Sequence, residues 1–384
     1  MSVVRVFLCG DVMTGRGVDQ IMPQPCEPTL HEGYVQSALG YVQLAEARNG
    51  AIPRPVDQSY IWGEALVELA RCKPDVRVIN LETTITRSED YLDKGINYRM
   101  SPENAACLSA AGVDCCVLAN NHMLDWGPSG LADTLTALQR LKVKSAGAGR
   151  NLAEAEAPAV LPVAGNGRML VFSFALASSG TPRGWSAKAD AAGVNFLADL
   201  SERSAERVCD KIVQTRRARD IVIVSLHWGP NWGYGIPDEQ TRFAHDLIDR
   251  GGVSVVYGHS SHHAKAIEVY RNRLVLYGCG DFLNDYEGIE GYEEYRGDLP
   301  LMYFVDIDAL SGDLVAAELV PLQIKRFQLV AASAGDAAWI RQTLDRESRP
   351  FGTRVTQAPS GRLVLSWAAS RGGLPASGGE ASTR

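Results

Sequence analysis

Short apolar runs, bounded by polar residues and separated by amphipathic stretches, set the strongest limit on what this chain can become. Runs of this length suit buried strands and the stretches between them carry helical spacing, so the pattern predicts an α/β fold. The strand candidates are Val3–Leu8, Val76–Leu81, Cys115–Ala119, Met169–Leu176, Ile221–Leu226, Val253–Tyr257, Leu274–Tyr277 and Leu301–Ile307. Helices are expected over Ile61–Cys72, Pro102–Ala111, Ser129–Leu141, Ser201–Arg219 and Asp238–Arg250. Capping residues in Asp199-Leu200-Ser201-Glu202 precede one helix, and Gly251-Gly252 stops another.

Several runs end where polar, chemically capable residues begin. Val6-Phe7-Leu8 leads to Gly10-Asp11, Val78-Ile79 to Asn80-Leu81-Glu82, and Val117-Leu118 to Asn120-Asn121-His122. Val224-Ser225-Leu226 leads to His227-Trp228-Gly229, and Val255-Val256 to Gly258-His259. Strand C-terminal ends share one edge of an α/β sheet, so side chains far apart in sequence can converge there. Asp, Glu, Asn and His together suit zinc, manganese, iron or magnesium, while the lack of clustered Cys argues against a thiolate site. Each element alone is weak: Gly-Asp pairs serve turns, and His227 beside Trp228 can be a packed aromatic pair. Their conjunction points to a divalent-metal site built from Asp11, Glu82, Asn121, His122, His227, His259 and His262. Two ions ~3.5–4 Å apart can clamp a phosphoryl oxygen and generate a hydroxide nucleophile from water.

The bulk numbers narrow the alternatives. With 384 residues, 46% of them hydrophobic, the chain can bury one large or two modest cores. A net charge of -7 and a pI near 5.6 exclude a general pull toward nucleic acid or an anionic membrane. Arg216, Arg217 and Arg219 read as a solvated helix end. No Cys-x-x-Cys pair exists among the eight cysteines, so buried reduced thiols in a reducing cytosol are expected, with Cys26 in a polar loop. Vicinal Cys115 and Cys116 read as alternating faces of a buried strand. Neither a signal peptide nor a membrane span is apparent, which leads us to expect a cytoplasmic protein. Gly10–Arg16 lacks the Lys-Ser/Thr ending of a phosphate-binding loop, and Gly147-Ala148-Gly149-Arg150 lacks the third glycine of a dinucleotide site. A loop-rich insertion, residues 23–59, is expected to frame the site, with a possible helix over Val35–Ala47.

Several stretches resemble the CapA/PgsA-type family of capsule and poly-γ-glutamate biosynthesis. They are GDVMTGR from Gly10, NLETTIT from Asn80, YRMSPENAACLSAAGVDCCVLANNHMLDWGPSGLADTL from Tyr98 and GAGRNLAEAEAP from Gly147. HWGPNWGYGIPDEQTRFAHDLIDRGGVSVVYGHSSHHAKAIEVY from His227 and LYGCGDFLND from Leu276 complete the set. The resemblance implies a calcineurin-like metallophosphoesterase fold: a four-layer α/β/β/α sandwich of two mixed sheets, spanning residues 1–330. A C-terminal extension, 331–367, would pack on it, followed by a disordered tail, 368–384.

The resemblance further implies two divalent ions (manganese, iron or zinc). Asp11 and His262 would hold one; Asn121, His227 and His259 the other, with Glu82 bridging. His122 would protonate the leaving oxygen, Asp125 would orient it, and Arg16 would contact an oxyanion. Arg99 is a further substrate contact, and Trp228 and Trp232, with Tyr234, offer an aromatic wall or local packing. Where phosphoesterases carry Asp-x-His, this chain has Asp11-Val12-Met13, so the Asp11 side is expected to be the more labile. His259 and His262 stand three apart, leaving His263 a rival ligand, and Gly280-Asp281-Phe282 adds a carboxylate near the site. The expected activity is phosphoester hydrolysis of an anionic small-molecule or peptide substrate. The alternatives are γ-glutamyl or other amide chemistry, or a non-catalytic accessory role. No nucleic-acid or membrane partner is expected.

Overall fold

The computed structural model describes residues 2–163 and 167–368. Of the tail expected to be disordered, residues 369–384 lie outside the described residues.

Two mixed sheets stack face to face. In the first, Val3–Val12 lies between the parallel strand Val76–Leu81 and the antiparallel strand Leu301–Asp308. Cys115–Val117 and Lys144–Ala146 extend it on one side; Leu314–Lys325, Leu363–Trp367 and Thr353–Gln357 extend it on the other. The second sheet runs Ile267–Tyr270, Arg273–Leu276, Val255–His259, Ile221–His227, Gly167–Ala175, Ala159–Val163, parallel through its centre and antiparallel at both edges.

Period-two alternation explains the layering. Val6, Val78, Cys115 and Val117 enter the layer between the sheets with Val171, Ile223 and Val255 of the opposite sheet. Their neighbours Phe7, Ile79 and Cys116 face outward, beneath the helices Glu64–Cys72 and Gly127–Arg140. On the far side, Val222, Val224 and Val256 pack under the helices Glu202–Thr215 and Asp238–Gly251. The result is a four-layer α/β/β/α sandwich, as the resemblance implies. Vicinal Cys115 and Cys116 therefore serve opposite layers, and all eight cysteines are buried and free, Cys26 included.

Each of the strand candidates is a strand, with ends shifted by a few residues. The helix from Ser201 ends at Thr215 rather than Arg219; Arg216 leaves the helix and donates to the Gly251 carbonyl. The insertion holds its helix at Leu39–Asn49. The sequence pattern did not predict Leu314–Lys325, whose exposed and buried positions mix along the strand, or the helix Ala334–Ser348. That helix places Ile340 and Leu344 in the inter-sheet layer. No helix among the described residues is long and apolar enough to cross a membrane.

Candidate metal-centred active site

Strand register assembles the site. Asp11 is paired with Asn80 on one side and Asp281 on the other, so three polar side chains meet at one strand end. In the second sheet His227 is the register partner of His259, and their rings lie 6.4 Å apart and nearly parallel. Glycine permits the close approach at Asp11: a Cβ on Gly10 would overlap the Gly280 carbonyl. Ser260, at φ 88°, holds a backbone conformation rare outside glycine and thereby turns its N–H onto Asp11 Oδ2 at 3.2 Å.

Around Asp11 the contacts are dense. His259 Nδ1 and Asn80 Nδ2 each lie 2.8 Å from Asp11 Oδ1, and Asn80 Nδ2 also reaches Glu82 Oε2 at 3.5 Å. Burial pushes the Asp11 carboxyl up, but the His259 hydrogen bond and the neighbouring imidazoles outweigh it and leave it below the usual range. Glu82 goes the other way: burial, then the Asp11 charge, hold its carboxyl well above the usual value. The two carboxylates share one crowded, buried space, where each charge opposes the other.

His227 Nε2 lies 2.9 Å from Asn121 Oδ1 and 3.7 Å from Glu82 Oε1. Burial pulls its imidazole down to about 3, so the ring is neutral and able to coordinate. His122 approaches the same Glu82 oxygen through Nε2 at 3.8 Å, while its Nδ1 lies 2.7 Å from Asp125 Oδ2. Burial lowers its pKa to about 4, opposed by Asp125. Asp125 is itself fixed by the Tyr98 N–H at 2.6 Å and by Lys94 Nζ at 2.8 Å. On the outer side, His262 Nδ1 lies 2.9 Å from Asp281 Oδ1, and Asn284 holds the other Asp281 oxygen at 2.8 Å. His262 resists its burial because Asp281 raises its pKa.

The residues fit a divalent cation. Ligand atoms of Asp11, Glu82 and His227 all lie within 4.8 Å of one another, and all three residues are buried. Nδ1 of His227 and Nε2 of His259 are buried without a hydrogen-bond partner among the described residues. Oxygen and imidazole donors crowded around paired carboxylates make the donor set of a hard-to-borderline metal. Asn121 and His262 are partly exposed, marking where the site meets solvent.

Other candidates from the sequence are placed elsewhere, and three are corrected. Arg16 is buried with its fork on Asp285, at 2.5 and 3.1 Å, and on Glu32 and Tyr41, each at 2.9 Å; it braces the insertion instead of meeting an oxyanion. Arg99 bonds the Ser88 carbonyl and Glu89 and stacks over Trp126, joining loops. Trp228 is buried and donates to the Tyr277 carbonyl, so it is core, not wall. Trp232 does stand beside His262, with ring centroids 5.3 Å apart, stacked on Tyr292 at 4.2 Å. His263 turns away, its Nδ1 toward the Ala264 carbonyl and its ring among Tyr234 and Tyr295. Met13 is buried and receives the Tyr286 hydroxyl.

Two contributors were given no role by the sequence reading. Asn80 stands inside the Asn-Leu-Glu motif, where period two puts it on the face of Glu82. Lys94, which also donates to the Asn121 carbonyl, sits in a loop with no local signal.

Residues 5–286 match the family described as "Bacterial capsule synthesis protein PGA_cap". The chain belongs to that family. Among relatives of this PGA_cap chain, a Mycobacterium tuberculosis protein named "Probable polyglutamine synthesis accessory protein" is 47% identical over 366 residues, covering 95% of this chain and 96% of that one. The "PGA biosynthesis protein CapA" of Bacillus subtilis is 28% identical over 208 residues, covering 54% of this chain and 52% of that one. A solved structure of a novel phosphatase from Mycoplasma pneumoniae aligns with 84% of this chain and 94% of its own, with 10% identity and a TM-score of 0.45.

Proposed function

We propose that this PGA_cap protein is a metal-dependent hydrolase of a phosphoester bond, serving the capsule or polyglutamate-type synthesis for which its relatives are named. The observation that carries the reading is His122: one ring nitrogen is fixed by Asp125 and the other is aimed at Glu82, inside the cluster of metal-ligand residues.

Asp11, Glu82, Asn121, His227, His259 and His262 would hold two divalent ions, with Asp281 an additional carboxylate behind His262. Divalent ions bound there supply positive charge for a phosphoryl oxygen and acidify water. The chain's own groups do the rest. Asp125 fixes the tautomer of His122, so that Nε2 is the nitrogen facing the reacting group. With Nδ1–H donated to Asp125, Nε2 carries a proton only when the ring is doubly protonated; in that form His122 would deliver it to the departing oxygen, a step worth typically 10²–10⁴-fold. Asn80 holds the Asp11 and Glu82 carboxylates in place through one amide.

The test is elemental analysis of protein purified without chelators, followed by turnover of phosphomonoesters and phosphodiesters with the metal it reports. The expected result is bound manganese, iron or zinc and turnover that His122→Ala abolishes. Failure to hydrolyse any ester with any loaded metal overturns the reading in favour of an accessory role.

A further inference from the structure

His227 and His259 end two strands of the second sheet at the metal centre. Asp220 and Ser254, which precede those strands, lie at the opposite end with Arg273, about 20 Å away along the strands. A pocket of about 420 Å³ opens there, lined by Arg216, Arg217, Arg219 and Arg273 and by a single carboxylate, Asp220. That carboxylate is already taken. Arg168 pairs with it from outside the pocket, with Nε 3.1 Å from Oδ1, and the Arg217 backbone N–H donates to Oδ2 at 2.8 Å. One more acid is in reach, Asp313, 3.3 Å from Arg273 Nη2. Five guanidinium groups therefore face two carboxylates, a surplus of three positive charges on a chain whose net charge is -7.

Helix ends account for only part of this cluster. Arg216 donates from Nη1 to the Gly251 carbonyl at 3.0 Å, at the C-terminal end of Asp238–Gly251, where a cation is favoured. Arg273 donates from Nη2 to the Ser311 carbonyl at 2.7 Å, while its Nη1 has only the Ser254 hydroxyl, at 3.4 Å. Arg217 and Arg219 are exposed and form no ion pair among the described residues. Two of the seats depend on glycine. A Cβ on Gly252 would overlap Arg216 Nη1, and one on Gly312 would overlap Arg273 Nη1 and the Ser254 hydroxyl. Burial holds the Arg273 guanidinium below its ordinary value; Asp313 opposes that shift and Arg216 adds to it.

We infer that this pocket binds the diphosphate group of a small molecule, gripped by Arg216, Arg217, Arg219 and Arg273. A guanidinium fork matches phosphoryl oxygens two at a time. A phosphate monoester carries about −1.5 to −2 charges at neutral pH, so a surplus of three calls for two linked phosphoryl groups rather than one. Exposed Val213 and Leu310 in the lining offer an aliphatic contact to an organic group attached to them. The inference does not draw on the proposed hydrolysis, because the metal centre lies at the other end of the strands.

The experiment is calorimetric titration of the full chain with imidodiphosphate, whose P–N–P bridge resists hydrolysis, and with the α,β-methylene analogue of adenosine diphosphate. Both should bind, with inorganic sulfate about tenfold weaker or more. Tighter binding of the methylene analogue makes a nucleotide the source of the diphosphate; equal or weaker binding makes it the free anion, and either supports the site. Arg217→Gln with Arg219→Gln should weaken imidodiphosphate about tenfold at unchanged Tm, and Arg216→Gln should do the same. His227→Ala, which damages the metal centre, should keep the affinity. No binding, sulfate as tight as imidodiphosphate, or an affinity that falls in His227→Ala and holds in the arginine variants overturns the inference. Binding is read without turnover, so the hydrolase reading can fail while this one stands, and the reverse.

Discussion

His122 Nδ1 lies 2.7 Å from Asp125 Oδ2, and the same Asp125 oxygen takes the backbone N–H of Tyr98 at 2.6 Å. The histidine is therefore held by a carboxylate that is itself held by the backbone, with Lys94 closing the other side at 2.8 Å. Asp125→Asn keeps the shape and loses the charge that selects the tautomer. Activity should fall about 100-fold on esters with poor leaving groups, and far less on nitrophenyl esters, whose leaving oxygen needs no proton. An equal loss on both substrate classes would show that Asp125 does not act through proton donation.

Metal uptake should release protons from the Glu82 carboxyl and from His262, whose imidazole, despite burial, Asp281 keeps above its ordinary value. In the metal-free protein Glu82 is held well above its ordinary value of 4.5 by burial and Asp11, while His122 and His227, at about 4 and about 3, are already neutral near pH 6. A raised carboxyl pKa means proton and cation compete, so affinity rises with pH until the pH exceeds the Glu82 value in the folded chain. Titration with Mn²⁺ in buffers of different ionisation enthalpy measures the release. Glu82→Gln should reduce it and leave the share of His262.

Stability should respond to metal through the same residues. A ligand present at about 100 times its Kd and bound only by the folded state adds about 2.7 kcal/mol. Thermal unfolding with and without Mn²⁺ should show a rise in Tm for the native chain. Asp11→Asn and His227→Ala should each lose most of that rise.

Arg16 predicts a structural defect, not a kinetic one. The residue is 3% exposed, and its guanidinium joins Asp285, Glu32 and Tyr41. Removing it strands two buried carboxylates, which costs about 3–5 kcal/mol when a buried partner is lost. Urea unfolding of Arg16→Ala should report that loss, and Arg16→Lys should recover little, since one ammonium cannot reproduce the fork.

What the sequence determined by itself was local. Apolar runs specified the strands, because burying an alternating or continuous apolar stretch depends on the residues within it. The same runs showed that Asp11, Glu82, Asn121, His122, His227 and His259 stand at or just past strand ends. The glycines in GDVMTGR and LYGCGDFLND showed only that the chain turns there. Tertiary structure decided everything that rests on register and burial. It paired Asp281 with Asp11 and His227 with His259, relationships set by hydrogen bonding between strands up to 270 residues apart in the chain. Tertiary packing enclosed Arg16 and Trp228, whose side chains look equally fit for substrate when read as letters. Lys94 came to Asp125 from a loop without periodicity. A residue's chemistry is written in its side chain, but its neighbours are chosen by the packing of the whole sandwich.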